Sequence, residues 1–389
     1  MRSRHYLLGL AAGALMVTGA EAADLPAPEP VDYVRICDAF GAGFYYIPGT
    51  ETCIRIGGFV RAQYAFGYSK TKVGAAAATT SNMWSWYGRG AISIDTRTNT
   101  EYGLLRTFIL AWTTRAGGSA TGAAYVAANG AGTSGSLFLW DAFIQFGGLT
   151  AGQVTSFFSG GWGTTIEAGP DGAGVNHKVV ALAYTFAFGN GMSASIALEA
   201  PTFVSTFFHA NVGIVRPDIV ANVRVDQGWG SAQLSVMAHH VRTAALNTSG
   251  WSANLGASFN IPSANASIFI VGMYGRGNIA GVLTSYSCHA LCSDINTTTG
   301  GLATAWGIAG GASFALSPQL RAAIEGQYIR QSAGAVSFRQ YDIQGNLVYS
   351  PVAGLSFTFF AEYRSVNAIA ATGTDVNAWL AGLRIQRAY

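Results

Sequence analysis

Arginine side chains recur on one face of segments in which apolar and polar residues alternate. Arg61, Arg89 and Arg106 fall on the polar face, near the middle of three successive segments, and two acids, Glu167 and Asp171, lie in a later connection. A basic wall opposite acidic groups would create a transverse electric field, which is strong in a narrow passage of low dielectric constant. These residues predict electrostatic selection of solutes at a constriction. The alternative is that they are solvated side chains with no special role.

Other polar residues point to no second chemistry. Four more arginines share the polar face of their segments, where solvated charge without a special role is the simpler interpretation: Arg55, Arg224, Arg364 and Arg384. His239 and His240 are adjacent, and because neighbours on a strand point to opposite faces they cannot both bind one metal ion without distortion. The sequence predicts neither a metal site nor a cofactor, and it contains no G-x-S-x-G motif of a serine hydrolase.

The segments that carry these arginines alternate with a period of two residues. In the first segment, Ile56 and Val60 lie on the face opposite to Arg55 and Arg61. Segments of about ten residues that alternate in this way, separated by turn residues, are typical of transmembrane β-barrels. The sequence therefore predicts that the arginines face an aqueous interior while the aliphatic residues face lipid.

Turn-forming residues give the number of strands. Seven short stretches rich in such residues imply eight hairpins: 98–100, 147–148, 189–191, 227–230, 262–265, 317–319 and 351–354. Longer connections, among them 68–83 and 157–175, alternate with them. The prediction is an all-β fold, a 16-stranded antiparallel transmembrane β-barrel with short periplasmic turns and long extracellular loops. Sixteen strands leave a water-filled channel, whereas about eight would fill their own interior.

Composition supports a membrane barrel over a soluble protein. Charged residues make up 11% of the 389 residues and hydrophobic residues 50%, whereas roughly 25% of residues are charged in ordinary soluble domains. Beyond the N-terminus no apolar run reaches the roughly 18 residues that a spanning helix needs. Only helices and closed barrels pair all their backbone groups within lipid. The alternative that composition leaves open is a secreted glycine-rich β protein. The net charge of +3 gives no indication of nucleic-acid binding.

The N-terminus predicts export. Residues 1–22 have a basic start, a short apolar core and the small residues Ala20 and Ala22, which fits a signal peptide cleaved after Ala22. Residues 23–52 then form a periplasmic lead-in, and 53–389 form the barrel. Because disulfides persist in oxidising compartments, two are expected, Cys37 with Cys53 and Cys288 with Cys292.

The stretch GAGFYYIPGTETCIRIGGFVR at 41–61 resembles the start of the porins of alphaproteobacteria, the general diffusion porins of the Brucella and Rhizobiales type. Further similarity lies in EYGLLRTFI at 101–109, DAFIQFGGLTAGQVTSFF at 141–158 and AYTFAFGNGMSASIALEAP at 183–201. The resemblance implies a trimeric barrel whose third long loop, 157–175, folds into the lumen. It also implies passive passage of small hydrophilic solutes across the outer membrane, with outer-membrane lipid and lipopolysaccharide as surroundings.

Two other functions stay open at this point. A substrate-specific outer-membrane channel for sugars or anions would differ from a general porin only in the geometry of its constriction. An outer-membrane barrel enzyme would need a fixed acid–base set on the rim, and the sequence contains no such set.

Overall fold

The computed structural model describes residues 35–73, 78–119, 135–163, 178–201, 215–243, 246–282, 293–296, 298–369 and 374–389. These residues form one antiparallel sheet with seventeen strands: β1 Tyr45–Tyr46, β2 Cys53–Val73, β3 Thr79–Thr100, β4 Gly103–Ser119, β5 Leu137–Phe146, β6 Leu149–Thr155, β7 Lys178–Gly189, β8 Met192–Glu199, β9 Asp218–Gln227, β10 Gly230–Arg242, β11 Asn247–Ile261, β12 Ala266–Arg276, β13 Thr304–Ser317, β14 Leu320–Ser332, β15 Phe338–Val352, β16 Leu355–Ala368 and β17 Thr374–Ala388. Four short 3-10 helices, Asp38–Phe40, Pro262–Ala264, Ile279–Gly281 and Gly334–Val336, complete the described secondary structure.

The sheet closes into a barrel because the last strand pairs with the first long one. Each strand from β2 to β17 pairs with its neighbour in sequence, and β17 also pairs with β2, from Thr374 opposite Val73 to Ala388 opposite Phe59. The two-residue strand β1 is an addition that pairs with the start of β2. The barrel therefore has sixteen strands, which confirms the predicted fold class.

The period-two pattern decides which side chains face inwards. Val60 is 60% exposed and Ile56 is 50% exposed on the outer surface, whereas Gln63 is only 2% exposed. The same alternation recurs in other strands, such as β12, where exposed and buried residues alternate, so that the exposed side chains of the outer wall are mostly aliphatic and aromatic while most buried polar side chains face inwards.

Short turns connect the strands at one rim, where both ends of the barrel also lie. Asn190 and Asn265 adopt positive φ angles of 51° and 47° in two of these turns, a conformation that asparagine tolerates better than most residues. The first turn is at 101–102 rather than 98–100, since β3 continues to Thr100. The prediction of a long connection at 68–83 was wrong, because serines and threonines of this stretch continue the hydrogen-bonded pairing of β2 with β3.

The barrel wall differs in height around the ring. Strands β2 and β3 contain 21 and 22 residues, whereas β6 and β8 contain 7 and 8. A strand of seven residues is about 24 Å long, and a tilt of about 45° reduces its height to about 17 Å. Strands β6 and β8 therefore fall short of the roughly 25 Å apolar band of outer-membrane barrels, and the region from β5 to β9 that contains them is called the low wall here.

The lead-in segment is fixed to the foot of β2. A disulfide joins Cys37 to Cys53, and both residues are buried together with Phe44. This confirms the first predicted disulfide. The second, Cys288 with Cys292, and the predicted signal peptide at 1–22 lie outside the described residues and stay predictions. None of the helices in the described part is long and apolar enough to cross a membrane.

Candidate pore and constriction

The described part of the third long connection lies inside the barrel. After β6, the chain at 156–163 leaves the wall and accepts hydrogen bonds from inward side chains of later strands. Asn222 Nδ2 donates to the Phe157 carbonyl at 2.6 Å, and Asn254 Nδ2 donates to the Phe158 carbonyl at 2.6 Å. Because these amides belong to the inner faces of β9 and β11, 156–163 must cover the lumenal side of that wall.

Glu199 and Trp162 hold the two ends of this covering segment. The Glu199 carboxylate, 1% exposed, accepts hydrogen bonds from Ser156 Oγ and from the Phe157 amide, both at 2.7 Å. Trp162 is 3% exposed and packs in an apolar cluster with residues such as Val271. Its indole also lies over Gly256, where an added Cβ would be 2.3 Å from Trp162 Nε1. The glycine is therefore required by the close approach of the ring.

Three arginines line the wall opposite this segment, and we call them the open-wall arginines: Arg61, Arg89 and Arg384. Arg61 and Arg89 are directly opposite each other on β2 and β3. Arg61 Nε donates to Gln386 Oε1 at 2.8 Å, Arg89 Nε to Thr114 Oγ1 at 3.0 Å and Arg384 Nε to Gln63 Oε1 at 2.8 Å. These acceptors are neutral oxygens. Strands β2 and β10 are eight strands apart in a ring of sixteen. The open-wall arginines therefore lie on the opposite side of the lumen from the covered wall, which is the wall around β10 that 156–163 covers.

Aromatic rings hold two of these guanidinium groups in place. Arg61 lies 4.7 Å from the centre of the Phe59 ring, and Arg89 lies 4.6 Å from the centre of the Trp112 ring. Contacts of this kind attract the cation electrostatically and restrict its side chain. The positive charges at this wall are therefore held in fixed positions.

Arg106 is not part of this group, which corrects the prediction that it shares a level with Arg61 and Arg89. The register of β3 and β4 pairs Arg89 with Thr114, whereas Arg106 pairs with Arg97. Arg97 comes eight residues after Arg89, which is about 27 Å along the strand. The prediction failed because the level of a residue depends on pairing register, which the alternation does not specify.

Arg106 belongs instead to a cluster around Asp95 near the short-turn rim. Its Nε lies 2.9 Å from Asp95 Oδ1, Arg97 Nη2 lies 2.8 Å from Asp95 Oδ2, and Arg55 Nη2 lies 3.6 Å from the same oxygen. Three guanidinium groups surround one carboxylate that is almost completely buried. Asp95 and Arg97 were missed as site residues, although both stand on the inward parity of β3.

Arg364 and Arg224 are inward, as predicted, but both are paired with carboxylates. The Arg364 side chain is 1% exposed and donates to Asp342 Oδ1, while its Nη2 lies 3.3 Å from Glu362 Oε1. Arg224 forms two hydrogen bonds with Asp226, at 2.6 and 2.7 Å, and a third with the carbonyl of Gly160 in the covering segment. Glu362 lies two residues before Arg364 on the same inward face of the strand. The alternation alone could therefore have predicted a carboxylate beside this arginine.

Two acids predicted at the constriction and two adjacent histidines considered for metal binding remain to be placed. Glu167 and Asp171 lie outside the described residues, so their place in the constriction stays a prediction. His239 points inwards, with Nδ1 2.8 Å from Asp218 Oδ1, and His240 points outwards towards Asn247. The two histidines thus lie on opposite faces of β10.

A closed sixteen-stranded barrel with an apolar outside, a polar inside and a segment folded against the inner wall defines a β-barrel channel of the outer membrane. The model of the porin subfamily matches residues 24–381. The chain belongs to this family and is an outer-membrane diffusion porin. Porin Omp2b of Brucella neotomae is 31% identical over 409 residues, which cover 100% of both chains. Porin Omp2b of Brucella abortus strain 2308 is 37% identical over 244 residues, 59% of this chain and 64% of the relative.

Solved porin structures share the fold at low sequence identity. The outer membrane channel DcaP of Acinetobacter baumannii superposes with a TM-score of 0.67 at 16% identity and covers 88% of this chain and 99% of its own. An anion-selective porin from Comamonas acidovorans gives a TM-score of 0.57 at 14% identity, with 87% and 100% covered. At these identities the similarity concerns the barrel alone.

Proposed function

We propose that the pore passes small hydrophilic solutes and ions through a gap between the covering segment and the open-wall arginines, and that it prefers anions. The observation that carries this proposal is the pair Arg61 and Arg89, which are directly opposite each other and whose guanidinium groups lie over the Phe59 and Trp112 rings. Two fixed cations at one wall attract anions and raise their local concentration. Glu167 and Asp171 complete the transverse field if the rest of the third loop faces this wall.

Reversal potentials across a planar bilayer with a KCl gradient test this proposal. The variant R61Q/R89Q/R384Q is expected to shift the reversal potential towards cation preference while leaving single-channel opening intact. A matched control is R106Q/R364Q, which removes inward arginines that contact the carboxylates of Asp95 and Asp342. An unchanged reversal potential in the triple variant, or an equal shift in the control, would contradict the proposal.

A substrate-specific anion channel is the second candidate, and the fixed open-wall arginines favour it over a sugar channel. Such a channel would contain a binding site, so that a di- or tricarboxylate would block KCl current at micromolar concentration. Smooth, size-limited flux without block supports the general diffusion pore. Membership of the porin family indicates a channel rather than an enzyme, and the proposal requires no catalytic group and no cofactor.

We also propose that the mature chain begins after a signal peptide cleaved behind Ala22. The basic start and the small residues at Ala20 and Ala22 support this cleavage site. The intact mass of protein purified from outer membranes should correspond to residues 23–389 with two disulfides. A mass that includes residues 1–22 would contradict the proposed export route.

The low wall supports a homotrimer in which β5 to β9 contact a second copy. Because β6 and β8 are too short to span the apolar band, their ends would leave backbone groups in lipid unless protein covers them. The outer face there is apolar, with Leu182 and Ile196 exposed by 51% and 52%. The variant L182Q/I196Q is expected to yield monomers on size-exclusion chromatography with light scattering. The matched variant I324Q/I343Q, on the longer strands β14 and β15, should remain trimeric.

A further inference from the structure

The sixth long connection, which joins β12 to β13, folds back into the barrel. Its described parts are 277–282, 293–296 and 298–303. Ile279 and Val282 are 0% exposed and belong to an apolar cluster with Met273, which is on the inward parity of β12. Side chains reach this cluster only from within the barrel. The connection therefore lies in the lumen, close to the rim that faces the cell exterior in outer-membrane barrels.

The sixth connection also packs against the covering segment. Trp162 belongs to the same apolar cluster as Ile279. A Cβ added to Gly281 would lie 3.4 Å from Phe158 Cε1 and only 2.6 Å from Ser252 Cβ on the inner face of β11. Glycine is therefore required where the connection lies against β11. The third and the sixth connection share one packed region inside the barrel.

His239 links two wall strands to the sixth connection. It is almost completely buried, with Nδ1 2.8 Å from Asp218 Oδ1 of β9 and Nε2 3.8 Å from Asp294 Oδ2 of the connection. The other carboxylate oxygen of Asp294 accepts a hydrogen bond from the Ile279 amide at 2.8 Å. We call Asp218, His239 and Asp294 the histidine bridge. It joins β9 and β10 to both described halves of the connection.

Further hydrogen bonds attach the sixth connection to other strands. Asn278 Nδ2 donates to Ser252 Oγ of β11 at 3.0 Å. Gln331 Nε2 of β14 donates to the Ser293 carbonyl at 3.4 Å. The connection is therefore held to the inner wall at β10, β11 and β14.

This position narrows the lumen from one side. The sixth connection adds a second layer to the inner wall between β10 and β14, whereas the open-wall arginines belong to β2, β3 and β17. The radius of a pore at its narrow part determines which solutes pass. The width of the passage therefore depends on how closely the connection is held to its wall.

We propose that the sixth connection is a second size-determining element of the pore, and that the histidine bridge holds it in place. His239 is a positioning residue, because it contacts the connection and not the solute. Loss of the bridge releases the connection from the wall and removes a support of the covering segment, so that the passage widens. This inference rests on the proposed diffusion pore but is independent of its anion preference.

Exclusion of neutral polymers in a planar bilayer tests the proposal. Polyethylene glycols of graded size are added to both sides, and the largest polymer that still lowers the single-channel conductance gives the exclusion limit. D294A removes the carboxylate beside His239 and the acceptor of the Ile279 amide, so the limit should shift to larger polymers. D294N keeps an acceptor for this amide, and its limit should lie between D294A and wild type. The control T299A, at an exposed position of the same connection, should equal wild type.

G281A tests the same contact without changing a charge. The added methyl group meets Ser252, so the connection must move away from β11 and the exclusion limit should rise as in D294A. In G281A/S252G the methyl group enters the space of the deleted side chain, and the limit should return to the wild-type value. General damage to the barrel by G281A would not be reversed by this second change.

The outcomes separate the parts of the proposal. An unchanged or lower exclusion limit in G281A, or no rescue by S252G, would overturn the role of the sixth connection. The same unchanged or lower limit in D294A would overturn the role of the histidine bridge. The reversal potential should respond to R61Q/R89Q/R384Q and not to G281A, which separates pore size from anion preference. Wild-type protein without conductance would contradict the diffusion pore and this inference together.

Discussion

The inward arginines fall into two regions that differ in their partners. At the open wall, Arg61 and Arg89 donate to neutral oxygens and lie over aromatic rings. In the cluster around Asp95 and in the pair of Arg364 with Asp342, the guanidinium groups contact carboxylates instead. The residue type and the inward parity are the same in both regions. Contact with a buried carboxylate holds a guanidinium group to the wall, as at Asp95 and Asp342.

The largest loss of stability is expected from breaking the buried pair of Asp342 on β15 and Arg364 on β16. D342N removes the carboxylate that accepts from Arg364 Nε, Gln327 Nε2 and Gln340 Nε2. Arg364 keeps its contact with Glu362 after this change, and losing a hydrogen bond between charged groups costs about 1.5 to 3 kcal/mol. Urea unfolding in detergent should show a loss of this size. The open-wall variant R61Q should lose less than about 1 kcal/mol, and equal losses would remove the distinction between the two regions.

The covered wall offers the next test. G256A places a methyl group against the indole of Trp162, so that the covering segment must shift or detach. Overpacking of this kind typically costs about 1 to 3 kcal/mol, and displacement of the segment should raise single-channel conductance. The control is G272A on β12, where an added Cβ meets no atom within 4 Å. Unchanged conductance in G256A would mean that Trp162 does not position the segment.

A smaller effect is expected at the Asp95 cluster. D95N leaves Arg55, Arg97 and Arg106 with no shared carboxylate and raises the net charge of the cluster from +2 to +3. Anion preference, measured by the reversal potential, should therefore rise in D95N. A shift towards cations would show that the cluster does not face the ion path.

The smallest effect is expected from R106Q. Arg97 and Arg55 remain beside Asp95 after this change, so that the cluster keeps an excess of one positive charge. The reversal potential should move by less than a third of the shift seen in R61Q. A shift as large as that of R61Q would place Arg106 at the constriction after all.

Several features could be predicted from single residues and their spacing. The alternation of Ile56 and Val60 with Arg55 and Arg61 gave the orientation of the first strand, and turn residues such as Asn190 and Asn265 gave the hairpins. The extension of β2 and β3 through 68–83 was not recognised, because serine and threonine serve equally well in loops and in strands that rise above the membrane.

Residue types and their spacing were enough to predict the barrel, its strand number, the inward face of segments such as the first strand, and the disulfide at Cys37. These follow from local rules, since a strand has a strict period of two and lipid admits no unpaired backbone. Only the tertiary structure decided that Arg106 lies with Asp95, that Arg364 is compensated, and that Trp162 meets Gly256. These contacts join residues far apart in the chain, and they depend on the register of strand pairing and on the path of the loop. A pattern of period two contains no information about either.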